Sequence, residues 1–553
     1  MTDVSPIPGE TARRPYPPLA RRWLPAAAVA VGLLYALAVN GHWAIRSDSA
    51  RVMTLGRNLA EGRGLVFNGT PLPSAAPLVP AVVAGSRLLA GRHALWLANA
   101  LVSLCGIGTA LAGLGIVNRM VWTRRTKAAR IQLAMGTFLV ASVSARLFDD
   151  ATVVSADVPT AFLATLGIYA FVRSRDGHWA WCLLGAAAFA AAAAARWEAL
   201  VLYPPVAAAV VLDRKAPGRS KRLLGTLVAS AVIAGVTGLW FYGTGGRWPA
   251  GAGADSSLLP SWLTAGAADR WAHVAANLAR TPLAVAEVLT DQELAGANTV
   301  LAVLALVGLL VAAGRRWWMI ALPAAVYAAW LVVRPGHISG RALVPVLPLV
   351  TCCLLAGTRW TVSAAVRWIR SGRVRRAAPR VITLSIIVIC MSISLPKDVR
   401  TIVWARREHF YSLYAHGKWR GLVEVSEVLA RRGRPDIDTV AAPHPAVVHY
   451  LSRLRVVTGP LGMYDGRPFG LWKPETVPAV AFAEGAAAGH FRFLVIPADE
   501  PAWTPAAFDA LARTRAFTRP ETFEDVALLE RLPPASAAGT RKTVDIPPPP
   551  PGR

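Results

Sequence analysis

The residues best equipped for chemistry are a few acids and cations that stand just outside long apolar runs. Asp48, in WAIRSDSARVMTLGRNLAEGRG, follows the uncharged run LPAAAVAVGLLYALAVN. Asp149 and Asp150, in SARLFDDATVVSADVPTAF, close a later run, and Asp157 opens the next. A carboxylate in such a place either caps a helix, accepting from unpaired N–H groups, or takes the proton of a hydroxyl as a general base. For Asp48 both readings stay open. An acid at membrane depth costs about 2.5–3.5 kcal/mol on insertion scales, so Asp157, beside its run, is expected to face a cavity or a partner. RPGHISGRALVPVLPLV packs Arg334, His337 and Arg341 into one short loop, and ARWEALVLYPP adds Arg196 and Glu198. These are either interfacial charges that snorkel to water or the lining of an anionic site. Acids and cations gathered in one cavity suit group transfer from a lipid phosphate. The carboxylate takes the acceptor's proton, and Arg and His donors stabilise the charge collecting on the phosphate.

The elements that must position these residues are membrane helices. The chain has 553 residues, a mean hydropathy of +0.42 and 54% hydrophobic residues, more apolar than a soluble protein of this length. Its formal charge of +27 would suggest nucleic acid, but the basic residues sit in short loops between apolar runs, as the positive-inside rule places them. Nucleic acid is therefore excluded as a partner. At about 20 apolar residues per helix, the runs give about eleven spans, near residues 24–40, 95–117, 130–147, 158–173, 179–195, 199–212, 223–242, 299–314, 317–333, 342–357 and 381–396. Leu78–Ala90 is read as a surface-lying helix. Counting it as a span would put Asn118–Arg130, with five basic residues and no acid, outside. With it on the surface, the loop Thr358–Arg380, with seven arginines and no acid, falls in the cytoplasm, and most acids fall on the opposite face. The N-terminus is then inside and the chain beyond Lys397 outside.

The resulting fold class is a polytopic α-helical membrane protein with a small C-terminal α/β extracytoplasmic domain. Residues 1–23 form a cytoplasmic tail leading into an uncleaved signal-anchor helix. Residues 24–396 form the transmembrane domain, with outer loops 41–94 and 243–298. Both loops carry amphipathic helices that lie at the headgroup level, Trp262 and Trp271 marking the second. In 397–535 the short β-type runs 439–443, 455–459 and 491–498 alternate with helical runs such as 476–490 and 505–515, as in an α/β sandwich. The Pro-rich tail 536–553 reads as disordered. The five cysteines (Cys105, Cys182, Cys352, Cys353 and Cys390) all fall in apolar runs without zinc-site spacing and read as core residues.

With these residues in place, SDSARVMTLGRNLAEGRGLVFNGTPLPSAAPLVPAVVAGSRLL resembles the first outer loop of the GT-C superfamily of polyprenyl-phosphate-sugar-dependent glycosyltransferases. That group includes the protein O-mannosyltransferases and the lipid A aminoarabinose transferases. AAARWEALVLYPP is similar to the superfamily's Arg-x-Glu-Gly segment, with Ala199 in place of Gly. GRALVPVLPLV is similar to its Arg-Tyr-x-x-Pro-x-x-Pro segment, with Ala342 in place of Tyr. The likeness runs loosely over residues 24–400. It departs at the first loop, which has a single acid where the O-mannosyltransferases have Asp-Glu, and at PLPSAAPLVP, which lacks the Lys-Pro-Pro of the aminoarabinose enzymes. No named subfamily is assigned.

The resemblance implies inverting transfer of a sugar, mannose, arabinose or similar, from a polyprenyl-phosphate carrier to a glycan, lipid or protein acceptor at the outer face of the membrane. It makes Asp48 the first-loop acid, as base or as ligand of a divalent metal ion. Asp150 and Asp157 are the candidates for a second acid, and Arg341 for phosphate contact. Metal use stays open, because three acids and one histidine show no ligand spacing. The competing readings are a transporter or flippase of lipid-linked glycans and a scaffold that presents the outer domain. The transporter would call for charges buried mid-span and paired broken helices; the spans are nearly free of charge.

Overall fold

The computed structural model describes residues 18–41, 47–72, 75–120, 127–176, 178–213, 219–243, 266–292, 296–334, 338–369, 371–406, 418–435, 437–442, 444–458, 483, 486–487, 490–498 and 504–532. Most of them are helical. Ala94–Met120 packs on Pro18–Ala38, Lys127–Ser142 and Asp157–Arg173, and Asp157–Arg173 packs on Ala180–Ala195. A second group joins Ala297–Gly314, Leu347–Ala365 and Gly372–Arg406. In a membrane, helices associate through close van der Waals contact, which small residues permit. Ala180–Ala195 is almost entirely alanine. Between Ala297–Gly314 and Leu347–Ala365 the backbones touch. A Cβ added at Gly308 would lie 1.7 Å from the Cys353 carbonyl oxygen, and one at Gly357 would lie 1.9 Å from that of Leu304. Any side chain at either position would force the helices apart. The core between the helices is filled by Tyr35, Phe138, Phe148, Phe171 and Phe189. All five cysteines are free; Cys105 is half-buried and the others are buried.

Among the described residues, five helices are long and apolar enough to cross a membrane, or six if the bent pair Ala129–Ser142 and Ala145–Ala151 counts as one. Four further apolar helices (Pro25–Ala38, Ala180–Ala195, Trp197–Leu212 and Trp318–Val333) are shorter. Apolar runs thus outnumber full-length helices, because turns divide them; the 49° bend after Ser142 is one such break. Leu78–Ala90 and Ala94–Met120 are separate helices joined by the 3-10 turn Gly91–His93, where Gly91 takes a φ of 50° that breaks the helix, and the two pack on each other. One boundary differs from the sequence reading: the last apolar helix continues to Arg406, so the boundary at 396 falls inside a helix.

Residues 439–530 supply a five-stranded sheet in the order Arg455–Thr458, Thr439–Ala442, Phe493–Pro497, Val526–Glu530, Glu521–Phe523. The first three strands are parallel and the remaining pairings antiparallel. Side chains alternate between two apolar layers, as strand geometry dictates. Val440, Ala442, Phe493 and Val495 share one layer with Leu422 and Leu429 of the helix Lys418–Arg432. Ala441, Leu494 and Ile496 share the other with Leu511 and Phe517. The first layer also takes in Ala50 and Met53 of the helix Ser47–Ala60, so the sheet and the Asp48 loop have one continuous core. The run 476–490 is described only at four positions, and Trp262, residues 1–17 and the tail 536–553 lie outside the described residues.

Candidate functional site

Asp48 lies within the first turn of the helix Ser47–Ala60. Its carboxylate forms an ion pair with another part of the chain: Arg341 Nη2 lies 2.6 Å from Asp48 Oδ2. The same guanidinium donates through Nε to Asp157 Oδ2 at 2.5 Å. The other oxygen of Asp157 accepts from Arg196 Nη1, and Arg196 Nη2 donates to Glu198 Oε1 at 3.2 Å. The order Asp48–Arg341–Asp157–Arg196–Glu198 makes one unbroken line of alternating charge. It joins four segments that the sequence holds far apart. The two acids bound to Arg341 differ in access: Asp157 is 2% exposed and Asp48 27%.

Local sequence explains each placement. Asp157 opens the helix Asp157–Arg173, where negative charge suits the helix dipole. Arg196 ends the polyalanine helix with an extended backbone, and the 3-10 turn Trp197–Leu202 then leads to a helix begun by Tyr203-Pro204-Pro205. Arg341 sits on the short elbow Gly340–Leu343, which the helix Ala267–Thr290 braces. Glu287 Oε2 of that helix accepts from the Gly340 N–H at 2.7 Å. A Cβ at Gly340 would meet the Glu287 Cβ at 2.5 Å. Fully buried Asn277 accepts from the Ile338 N–H at 3.4 Å and donates to the Val332 carbonyl at 3.2 Å, pinning both sides of the turn. Sequence reading did not single out Glu287 or Asn277 as site residues. Glu287 could have been found, as the lone acid in PLAVAEVL.

Asp150 makes no ion pair with Arg341 but lies near enough to act on its charge. It is fully buried and pairs with Arg146 at 3.2 Å, in a second network that adjoins the first and continues to Asp291 and Lys397. Arg334 is near enough to Glu198 to act on its charge without an ion pair between them being formed. His337 lies outside the described residues.

The loop that carries Asp48 is also clasped from behind. Phe67-Asn68-Gly69-Thr70 forms a tight hairpin with Asn68 at φ 56°, and the Asn68 side chain binds the backbone of edge-strand residue Val456 twice, at 2.5 and 2.6 Å. The Asn68 N–H donates to His449 Nε2 at 3.3 Å, and Arg57 donates to the Tyr450 carbonyl at 3.3 Å.

Among the described residues, no three His, Cys, Asp or Glu side chains gather so as to hold a metal ion. Between Asp48 and Asp157 the positive charge is supplied by Arg341 itself, so this arrangement does not fit a divalent ion shared by the two acids. No step below is routed through one.

No protein-family model matches the chain, and no curated protein matches its sequence. Solved structures do match in fold. ArnT from Cupriavidus metallidurans bound to undecaprenyl phosphate aligns over 94% of this chain and 99% of its own, at 14% identity and a TM-score of 0.56. The archaeal oligosaccharyltransferase AglB from Archaeoglobus fulgidus, in complex with an inhibitory peptide and a dolichol-phosphate, aligns over 91% of this chain and 73% of its own, at 11% identity and a TM-score of 0.53. The chain therefore shares its fold with these structures, and its apolar helices are those of a multi-pass membrane protein.

Proposed function

We propose that the chain is a membrane glycosyltransferase that moves a sugar from a polyprenyl-phosphate carrier to a hydroxyl-bearing acceptor. One observation carries this reading: a single arginine, Arg341, bridges a half-exposed acid and a buried one, in a fold shared with structures bound to undecaprenyl phosphate and dolichol-phosphate. Asp48 is the group with access to solvent and serves as base. It takes the acceptor's proton while the acceptor oxygen bonds to the anomeric carbon from the face opposite the phosphate, inverting it. The sugar–phosphate C–O bond breaks, and its electron pair goes to the polyprenyl phosphate. Arg341 stabilises that charge. Asp157, held by two arginines, is a positioning residue. Asp150, buried and paired with Arg146 beside Arg341, is a supporting residue and not the base.

The charge pattern supports a chain of about eleven spans, with short helices counted alongside long ones, a cytoplasmic N-terminus, and the site and the sheet on the outer face. Sugar transfer from labelled polyprenyl-phosphate sugars in membranes, wild type against Asp48→Asn, tests the reading. Asparagine keeps the shape and stays compatible with a helix start. The expected result is a loss of at least about a hundredfold at unchanged protein level, the scale of general-base catalysis. Unchanged transfer removes Asp48 from the mechanism. No transfer by the wild type from any donor returns the chain to the transporter class.

A further inference from the structure

The line of ion pairs leaves a group of buried polar atoms unused beside it. Glu198 gives Oε1 to Arg196, while its Oε2 is buried and has no hydrogen-bond partner among the described residues. The same is true of Nε1 in Trp197, Trp240 and Trp330, and of Nε in Arg334. These atoms belong to one neighbourhood. The Trp197 ring lies 5.8 Å from that of Trp240, tilted by 45°. The turn Trp197–Leu202 packs on the helix Trp318–Val333, where Tyr327, Trp330 and, just past its end, Arg334 follow at spacings that put them on one side. Arg334 acts on the charge of Glu198, and Arg196, Glu198 and Arg334 all act on Tyr327.

Buried polar groups are nearly always paired, so this group, without partners among the described residues, is open to a bound one. Its chemistry selects one. Four N–H donors and one carboxylate oxygen, set among indole rings, suit a neutral polyol. Hydroxyls accept from the indole and guanidinium N–H groups and donate to Glu198, and an apolar C–H face packs on a ring. A phosphate would meet the Glu198 carboxylate head-on and is better served by Arg341. We infer that Glu198, Trp197, Trp330 and Arg334, with Trp240 behind Trp197, form the subsite for the sugar ring of the donor. It adjoins the Asp48–Arg341–Asp157 centre, where the phosphate is released. The inference rests on the transfer reading and adds the part that recognises the transferred group.

The test compares binding of two probes to purified full-length protein: polyprenyl phosphate alone, and polyprenyl phosphate bearing mannose or arabinose. Trp330→Phe removes one N–H and keeps an aromatic ring. Glu198→Gln keeps size and removes charge, and it carries the comparison if the first variant fails to accumulate. The expected result is sugar-bearing lipid bound about tenfold more weakly by each variant, the worth of one hydrogen bond to a charged or buried group, with bare lipid unchanged. Equal weakening for both lipids, no weakening for either, or a wild type with no preference for the sugar-bearing lipid overturns the subsite alone. A wild type that binds neither lipid overturns the transfer reading and the subsite together.

Discussion

Replacing Arg341 by lysine tests the central arrangement most directly. Arg341 reaches Asp48 through Nη2 at 2.6 Å and Asp157 through Nε at 2.5 Å, using two edges of one planar group. A lysine ammonium is a single point of charge and serves one of the two acids. A hydrogen bond to a charged group is worth about 1.5–3 kcal/mol, so losing one where it orders the base and meets the leaving phosphate lowers kcat/KM by about ten- to 150-fold. Asp157 keeps Arg196, so the fold is expected to survive. Arg341→Ala abandons both acids and is expected to fall further. The assay is transfer of labelled sugar in membranes at matched protein level. A lysine variant within threefold of wild type would show that the bridge does not set the geometry of the reaction, and the assignment of Arg341 would fail with it.

Glu287→Ala removes the acceptor for the Gly340 N–H and is expected to cut kcat about fivefold, the value of one ordinary hydrogen bond, whereas Glu287→Gln keeps an acceptor and restores most of it; equal losses in both would mean that charge, and not the brace, matters. Asn68→Ala should loosen the clasp between the first loop and the sheet, read as faster proteolysis within 61–72; an unchanged cleavage rate argues that the shared apolar core alone holds the contact. In the sheet region, burial pushes the Asp438 carboxyl up, but hydrogen bonds from Arg434 and Arg492 more than reverse it and hold it at about 2. The stability this contributes is complete above the ordinary value of 3.8 and is lost as pH falls through about 2. Asp438→Asn should therefore flatten acid unfolding in that window, followed by loss of the sheet signal in circular dichroism; an unchanged acid profile would remove Asp438 as its cause.

The sequence made the membrane class legible because apolar runs and one-sided basic loops are summed over many residues, so single misreadings cancel. It also pointed at Asp48, Asp157, Arg196, Glu198 and Arg341, since charges beside apolar runs are few. What it could not show was their connection. Asp157 and Arg341 are 184 positions apart, and packing of Asp157–Arg173 on the turn Val344–Val346, just past the elbow, brings them together. Asp150 stands beside a span as Asp157 does, and only the structure shows that its partner is Arg146, one turn away on the same short helix. Trp197 and Trp330 carry no signal in the sequence, since nothing there reveals an indole N–H without a partner among the described residues. The hairpin 521–530 escaped because Glu521–Phe523 is short and half polar.

The clasp at Asn68 also bears on how the protein is made. Asn68 and the Val456 backbone it binds are 388 residues apart. At about 5–20 residues per second of synthesis, the first loop waits roughly 20 to 80 s before its partner strand exists. Arg341 is made within that interval, so Asp48 meets the cation in front of it before the sheet behind it exists. The acid is delivered early and seated late, so a nascent chain carries the reactive group before the clasp that holds its loop. Completion of the strand Arg455–Thr458 is then the event that closes the clasp.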